Sequence, residues 1–308
     1  MQIQRNYSDV SFDLHPKQDL VVFTAHGDGG RDIYLLDLRT RRVERLTRSS
    51  WWEKNPRWTP DGRAIIYEAR RDASNPRDSW NLYMLRLADR KVQQLTFARG
   101  AAHMFVCFLP DPSQILIART TKLGPDLLWD WSAGRYQVLD ISRRNLRNFP
   151  ALWGKWYLYG FSPAGDRVLA ARPVIRGQPD LYVLESQPLL QRGGARGQKI
   201  GAGTDAVWVL SRNQIAFVAP AGGSYEDELW TVGVDGKGLS QRTRMGGGVS
   251  NLRVDSKQNF IYFLRVEDGS TMLSSLWRLH LPTGRVEKVA DTRLFSDPLA
   301  FSKPQKRP

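Results

Sequence analysis

A short apolar strand ending in Leu or Ile followed by an aromatic recurs six times along the 308 residues, at nearly constant spacing. The pairs are Ile33-Tyr34, Leu82-Tyr83, Leu128-Trp129, Leu181-Tyr182, Leu229-Trp230 and Leu276-Trp277, and successive aromatics stand 46 to 53 residues apart. A unit of about fifty residues that holds four short strands is the repeat of a β-propeller. The period therefore predicts an all-β chain, a six-bladed β-propeller of four-stranded antiparallel blades.

Each aromatic pair is preceded at a similar distance by a second apolar run: residues 20–23, 64–67, 115–118, 168–171, 214–217 and 260–263. Their β-branched and aromatic content suits strands buried between neighbouring sheets. Ahead of these runs stand turn-rich segments such as Trp58-Thr-Pro-Asp-Gly62 and Phe161-Ser-Pro-Ala-Gly165, with Pro, Gly and Asp where a hairpin reverses. After the aromatic pair the chain turns again into a polar fourth strand, clearest at Arg42–Thr47, Lys91–Thr96 and Arg285–Ala290. The blades expected are 8–47, 55–96, 103–150, 157–201, 205–243 and 249–290, with a closure strand and basic tail over 291–308, all in one domain spanning 1–308.

These repeats resemble the TolB-like six-bladed propellers, whose units carry Pro-x-Trp-Ser-Pro-Asp-Gly, an apolar strand, Ile-Tyr-x-x-Asp and a terminal Leu-Thr. The second unit matches best, through Pro56, Trp58, Pro60, Asp61 and Gly62, then Ile65-Ile-Tyr67, Leu82-Tyr83 and Leu95-Thr96. The first contributes Asp32-Ile-Tyr-Leu-Leu-Asp37 and Leu46-Thr47, and the fourth Asp180-Leu-Tyr182. The resemblance implies a partner-binding module, often of the bacterial cell envelope, with the partner docking at the channel mouth. It concerns the blade framework and carries over no individual contact residue.

Length alone would suggest two domains, but a ring of small sheets grows by adding blades, so the repeat overrides that prior and a monomer is expected. No segment is apolar enough to span a membrane as a helix, and residues 1–7 lack the apolar middle of a signal peptide. A cytoplasmic protein is expected, or a periplasmic or otherwise extracytoplasmic one whose export segment has been removed. Cys107, the single cysteine, sits in an apolar stretch and reads as a buried thiol. The net charge of +14 is spread over most units without a nucleic-acid-binding signature, which argues against specific nucleic-acid recognition and for an acidic partner or surface.

Loops from the fourth strand to the next blade, and from the second strand to the third, should emerge on one face. There the sequence places Trp51, Trp52 and Lys54, then Trp153 and Trp156, with Arg70, Arg71, His103, Arg119, Arg172 and Tyr225 added by other loops. Exposed Trp and Tyr beside Arg are the residue types that anchor binding surfaces. The alternative is packing: the tryptophans would plug the channel mouth, and Arg70, Arg172 and Arg265, recurring at one repeat position, would brace the blades. A protein partner or an acidic polymer is the expected ligand.

Signals for chemistry are sparse. The histidines His15, His26, His103 and His280 have no metal-site spacing, and no Gly-x-Ser-x-Gly elbow occurs. Asp9, Asp205 and Asp255 could serve a glycosidase-like pair but equally suit turns. No cofactor or metal is expected. A carbohydrate-active or other channel-face hydrolase or lyase is the rival reading, and an accessory or sensor domain of a separate enzyme the third.

Overall fold

The computed structural model describes residues 10–27, 30–72, 75, 77–123, 134–150, 155–192, 195–222, 226–268 and 273–301, and most of them lie in β-strands. In chain order, β1 (Phe12–Leu14), β2 (Leu20–Gly27), β3 (Gly30–Asp37) and β4 (Val43–Arg45) form an antiparallel meander. Then β5 (Trp52–Trp58), β6 (Ala64–Arg70), β7 (Asn81–Arg86) and β8 (Val92–Gln94) follow one another in hydrogen-bonded order. A parallel bridge between Arg31 and Trp52 joins these two sets into an eight-stranded sheet.

The remaining sheets have four strands each. One contains β9 (Ala102–Phe108), β10 (Gln114–Thr120), β11 (Arg135–Asp140) and β12 (Asn145–Asn148), and the next β13 (Tyr157–Phe161), β14 (Arg167–Arg172), β15 (Asp180–Glu185) and β16 (Gly197–Ala202). They are followed by β17 (Thr204–Val209), β18 (Gln214–Pro220), β19 (Asp227–Gly233) and β20 (Ser240–Gln241), and by β21 (Val249–Val254), β22 (Phe260–Asp268), β23 (Leu273–His280) and β24 (Val286–Ala290). The fold is all-β, mostly four-stranded antiparallel sheets of the propeller kind.

The second strand of each set reads as an unbroken apolar run because both of its faces are covered. Ala64–Tyr67 of β6, Ile115–Ala118 of β10 and Val168–Ala171 of β14 are all buried. A threonine relay then closes the sheets. Thr47, Thr96 and Thr243 follow the fourth strands, and their hydroxyls accept the backbone N–H of Ile33 (2.8 Å), Leu82 (2.9 Å) and Leu229 (2.9 Å). The same hydroxyls reach the side chain just before that N–H: Asp32 at 3.4 Å, Asn81 at 3.1 Å, and Glu228. The Leu-Thr end of the repeat is thus a hydrogen-bond clasp between third and fourth strands, satisfying groups that would otherwise be buried unpaired.

The chain divides into two compact units. One holds residues 75–82 and 94–252, and the other holds 2–74, 83–93 and 253–308. Two cores fill the first, around Leu116, Tyr136, Val168 and Leu189, and around Leu169, Leu181, Ile215 and Phe217. The second has one around Phe12, Phe23, Tyr34 and Leu276, and another around Ile33, Ile65, Tyr67 and Tyr83.

Several expectations change here. Trp52, Glu53 and Lys54 belong to strand β5, which begins before the turn chemistry at Pro56, so they are not linker residues. Leu128-Trp129 lies outside the described residues. The third strand of its sheet is β11, where Tyr136 occupies the aromatic position, opposite Ala118 of β10 as Tyr34 is opposite Phe23. Within 291–308, where a closing strand was expected, the described residues form two helical turns, α2 (Arg293–Ser296) and α3 (Pro298–Phe301); α1 (Ser186–Arg192) lies between β15 and β16. The turns of the tail seat Phe295 edge-on to Phe23 at 5.6 Å and Phe301 beneath the Arg41 guanidinium at 4.8 Å.

The hairpins use left-handed residues where the chain must reverse. Arg41, Arg90 and Arg144 have φ of 58°, 56° and 55° in the turns before β4, β8 and β12. At the turn before β6, Gly62 has φ of +75° and donates its N–H to Thr59 O at 2.8 Å. A Cβ there would stand 2.5 Å from Nε2 of His15. That ring is itself fixed, because Nδ1 accepts the N–H groups of Lys17 and Gln18 at 3.0 Å each and Nε2 faces Gly62 O at 3.2 Å. Gly62→Ala is therefore expected to lower unfolding stability by about 1–2 kcal/mol from the backbone alone, with the displacement of His15 adding to that. Gly284→Ala, at φ +72° with nothing within 4 Å of the new Cβ, should cost less. Urea denaturation of the two variants measures the difference, and equal losses would refute the steric part.

Candidate functional site

Trp51 and Trp52 are half-buried and stacked against arginines. The Arg31 and Arg70 guanidiniums lie 5.3 and 5.6 Å from the Trp52 ring, and Arg71 lies 5.1 Å from that of Trp51. Register produces this cluster: Trp52 of β5 pairs with Arg70 of β6 and bridges to Arg31 of β3. On its other side Trp51 rests on Tyr83 at 5.3 Å, and Tyr83 stacks on Tyr67 at 5.8 Å. The aromatic surface is thereby tied into the core, while Arg71 is exposed. Lys54 turns toward buried Glu68, 3.7 Å away, and is a structural cation.

Beneath the tryptophans lies a carboxylate pair. Asp32 is fully buried and ion-paired to Arg45 at 2.5 Å. Glu53, 1% exposed, accepts the Thr47 hydroxyl at 2.5 Å and the Ser49 hydroxyl at 3.0 Å. Burial pushes the Glu53 carboxyl up to about 7, the hydroxyl hydrogen bonds oppose this, and the nearby Asp32 charge adds to it. Sequence reading missed Glu53, Arg31 and Asp32 as members of this cluster. The spacing could have shown Asp32 and Thr47, since an acceptor side chain and a Thr fifteen residues on recur at Asn81 and Thr96 and at Glu228 and Thr243.

Two of the recurrent arginines are engaged within their own sheets. Arg172 sits 5.3 Å from the Tyr182 ring and 3.7 Å from Asp180, and Arg265 sits 5.9 Å from the Trp277 ring and is ion-paired to Glu267. Trp156 packs edge-on to Tyr182 at 5.1 Å and against a core cluster, so it is a packing residue and not an exposed anchor. Trp153 and Tyr225 lie outside the described residues, as does Asp9. Asp205 of β17 accepts the Asn251 N–H of β21 at 2.8 Å, a contact between successive sheets, while Asp255 accepts those of Asn259 and Phe260 at 2.8 and 2.6 Å and is a turn acid. Cys107 is buried, and its thiol is pushed up to about 12 by desolvation, which leaves it unreactive. No group of three or more His, Cys, Asp or Glu among the described residues is arranged to hold a metal ion. No helix among them is long and apolar enough to cross a membrane.

Two cavities are lined by residues other than those of the tryptophan cluster. One, of about 410 Å³, is lined by charges of both signs, among them Asp37, Asp255, Lys257 and Arg278. The other, of about 330 Å³, holds His103 and Arg119 together with Gln137, Arg99 and Arg144. His103 is 3% exposed, and desolvation, with Arg119 beside it, lowers its pKa to about 4.

No protein-family model matches the sequence. Among curated proteins, the Tol-Pal system protein TolB of Nitratidesulfovibrio vulgaris is 29% identical over 108 residues, which are 35% of this chain and 23% of that protein. Among solved structures, TolB from Acinetobacter baumannii superposes with a TM-score of 0.63 at 14% identity, over 90% of this chain and 62% of that one. An oligogalacturonate lyase in complex with manganese superposes at 0.57 with 16% identity, over 92% and 79%. The chain thus spans less than two thirds of both TolB proteins. The likeness in structure is one of fold, shared by binding proteins and enzymes alike.

The Glu53 site gives a pH signature. The folded state holds this proton more tightly than the unfolded chain, whose carboxyl titrates near 4.5, so the contribution is complete below about pH 4.5 and is lost as pH rises through about 7. Glu53→Gln should remove it. Relative to wild type, the variant gains roughly 3 kcal/mol between pH 4.5 and pH 8 at most. Comparing the two proteins cancels the opposite contributions of His15 and His103, whose lowered pKa values favour the fold as pH rises. Urea midpoints at pH 5 and pH 8 test this, and parallel profiles for the two proteins would refute it.

Proposed function

We propose that this chain, which has the fold of the TolB-like propellers, is a six-bladed, non-catalytic binding module that engages an acidic protein partner through the surface of Trp51, Trp52, Arg70 and Arg71. The observation that carries this reading is the stack of arginines on two half-buried tryptophans, one of those arginines exposed. Arginine held against an aromatic ring has less freedom to lose on binding, and guanidinium suits carboxylate recognition. Trp and Arg are the residues on which interfaces concentrate their affinity. A net charge of +14 would steer an acidic partner toward the chain and make its association salt-sensitive. In this reading the protein acts as a monomer in an extracytoplasmic setting, as the likeness to TolB suggests.

The engagement of Asp205 by a backbone N–H of the next sheet, and of Asp255 by two in its own turn, supports binding over channel-face acid–base chemistry. The test compares wild type with Arg71→Glu and Trp51→Ala in affinity capture from lysate at low and high salt, with thermal unfolding as a control. A partner held by wild type at low salt is expected to bind each variant about tenfold more weakly, a loss of about 1.4 kcal/mol, while Arg71→Glu keeps the wild-type Tm. An identical captured set at equal yield from wild type and both variants would overturn the proposal.

A further inference from the structure

The cavity around His103 is independent of the tryptophan surface and is built like a ligand site. His103 of β9 pairs with Arg119 of β10, and Gln137 of β11 pairs with Ile117, two residues before Arg119. Alternation therefore places His103, Arg119 and Gln137 on one face of their sheet. The wall opposite is the segment from Leu95 to Arg99. It is fixed by Asn81, whose side-chain oxygen accepts the Thr96 hydroxyl at 3.1 Å and the Ala98 N–H at 2.6 Å.

Two buried polar groups in this cavity have no partner. Neither ring nitrogen of His103 is hydrogen-bonded, and neither is Oε1 of Gln137, although Nε2 of Gln137 lies 3.5 Å from Asn148 Oδ1. A buried polar atom without a partner costs about 1–3 kcal/mol, so a fold that keeps three of them at one cavity has a reason to fill it. Arg99, Arg119 and Arg144 complete the lining, no carboxylate contributes to it, and none of the three arginines is ion-paired to a described carboxylate. A neutral imidazole offers one donor and one acceptor, and Gln137 Oε1 requires a donor. The complementary ligand therefore carries both an anionic group for the guanidiniums and hydroxyls for His103 and Gln137. A volume of about 330 Å³ restricts it to a small molecule.

We propose that this cavity binds a small hydroxylated carboxylate, with its carboxylate held by Arg119, Arg99 and Arg144 and its hydroxyls by His103 and Gln137. Titration calorimetry of the full chain with L-tartrate and with succinate, the same four-carbon diacid without hydroxyls, tests it. Tartrate is expected to bind at least about tenfold more tightly than succinate, because a site built for hydroxyls rejects an analogue that lacks them. Gln137→Leu should bring tartrate down toward succinate. Arg119→Gln should weaken both, and so should Arg144→Asn, which suits the left-handed turn at φ 55° and keeps the variant folded. Equal affinity for the two diacids, binding of neither, or tartrate binding indifferent to both arginine substitutions would each overturn the proposal.

Discussion

The threonine clasp is the contact on which three of the four-strand sets depend. Their fourth strands, β4, β8 and β20, are only two or three residues long, too few for their ladder bonds alone to hold them in place. One hydroxyl accepts a backbone N–H of the third strand and lies against the acidic or amide side chain just before it, so three polar groups are satisfied together inside the sheet. Loss of the hydroxyl would strand the backbone N–H, since the side chain beside it keeps other partners, as Asp32 keeps Arg45 and Ser49, which is why the residue is Thr and not the isosteric Val.

The candidate surface grows from that clasp. In the first meander the clasp acid, Asp32, also neutralises Arg45 and receives the Ser49 N–H at 3.1 Å, which sets the path of the chain into Trp51. Glu53, one residue past Trp52, is drawn into the same network through Thr47. The two tryptophans are thus carried on a polar core, and their arginines lie flat because the rings beneath cannot move. Elsewhere the same kind of stack forms between strands within a sheet, as at Arg172 and Tyr182, and there an acid closes it.

Much of the architecture was legible because it is written as a period. The aromatic that ends each unit, the doubly buried second strand and the Pro-Asp-Gly turns all follow from local pattern and recur. The third strand of the third set was missed because Arg135 stands before Tyr136 where the other units have Leu or Ile, while the apolar-aromatic pair Leu128-Trp129 stands seven residues ahead of it. Site geometry was less legible. Trp51, Trp52, Arg71, His103 and Arg119 were recognisable by residue type, but whether a tryptophan packs, like Trp156, or forms a surface depends on which rings lie behind it. The residues that line the cavity with His103, among them Gln137 and Arg144, come from another hairpin and leave no local mark.

One of the arginines at left-handed hairpin positions has a colloidal meaning. Arg90 is ion-paired to Glu44, but Arg144 occupies a turn where Gly or Asn would fit the backbone with less strain, beside β12, the outermost strand of its sheet. All four residues of β12 are exposed, with Leu146 among them. A cation at the tip of such a strand repels the approach of another like it, so the chain accepts a strained turn to keep its sheet margins from pairing between molecules. Concentrated salt would weaken that repulsion while leaving the fold intact, and solubility would fail before structure did.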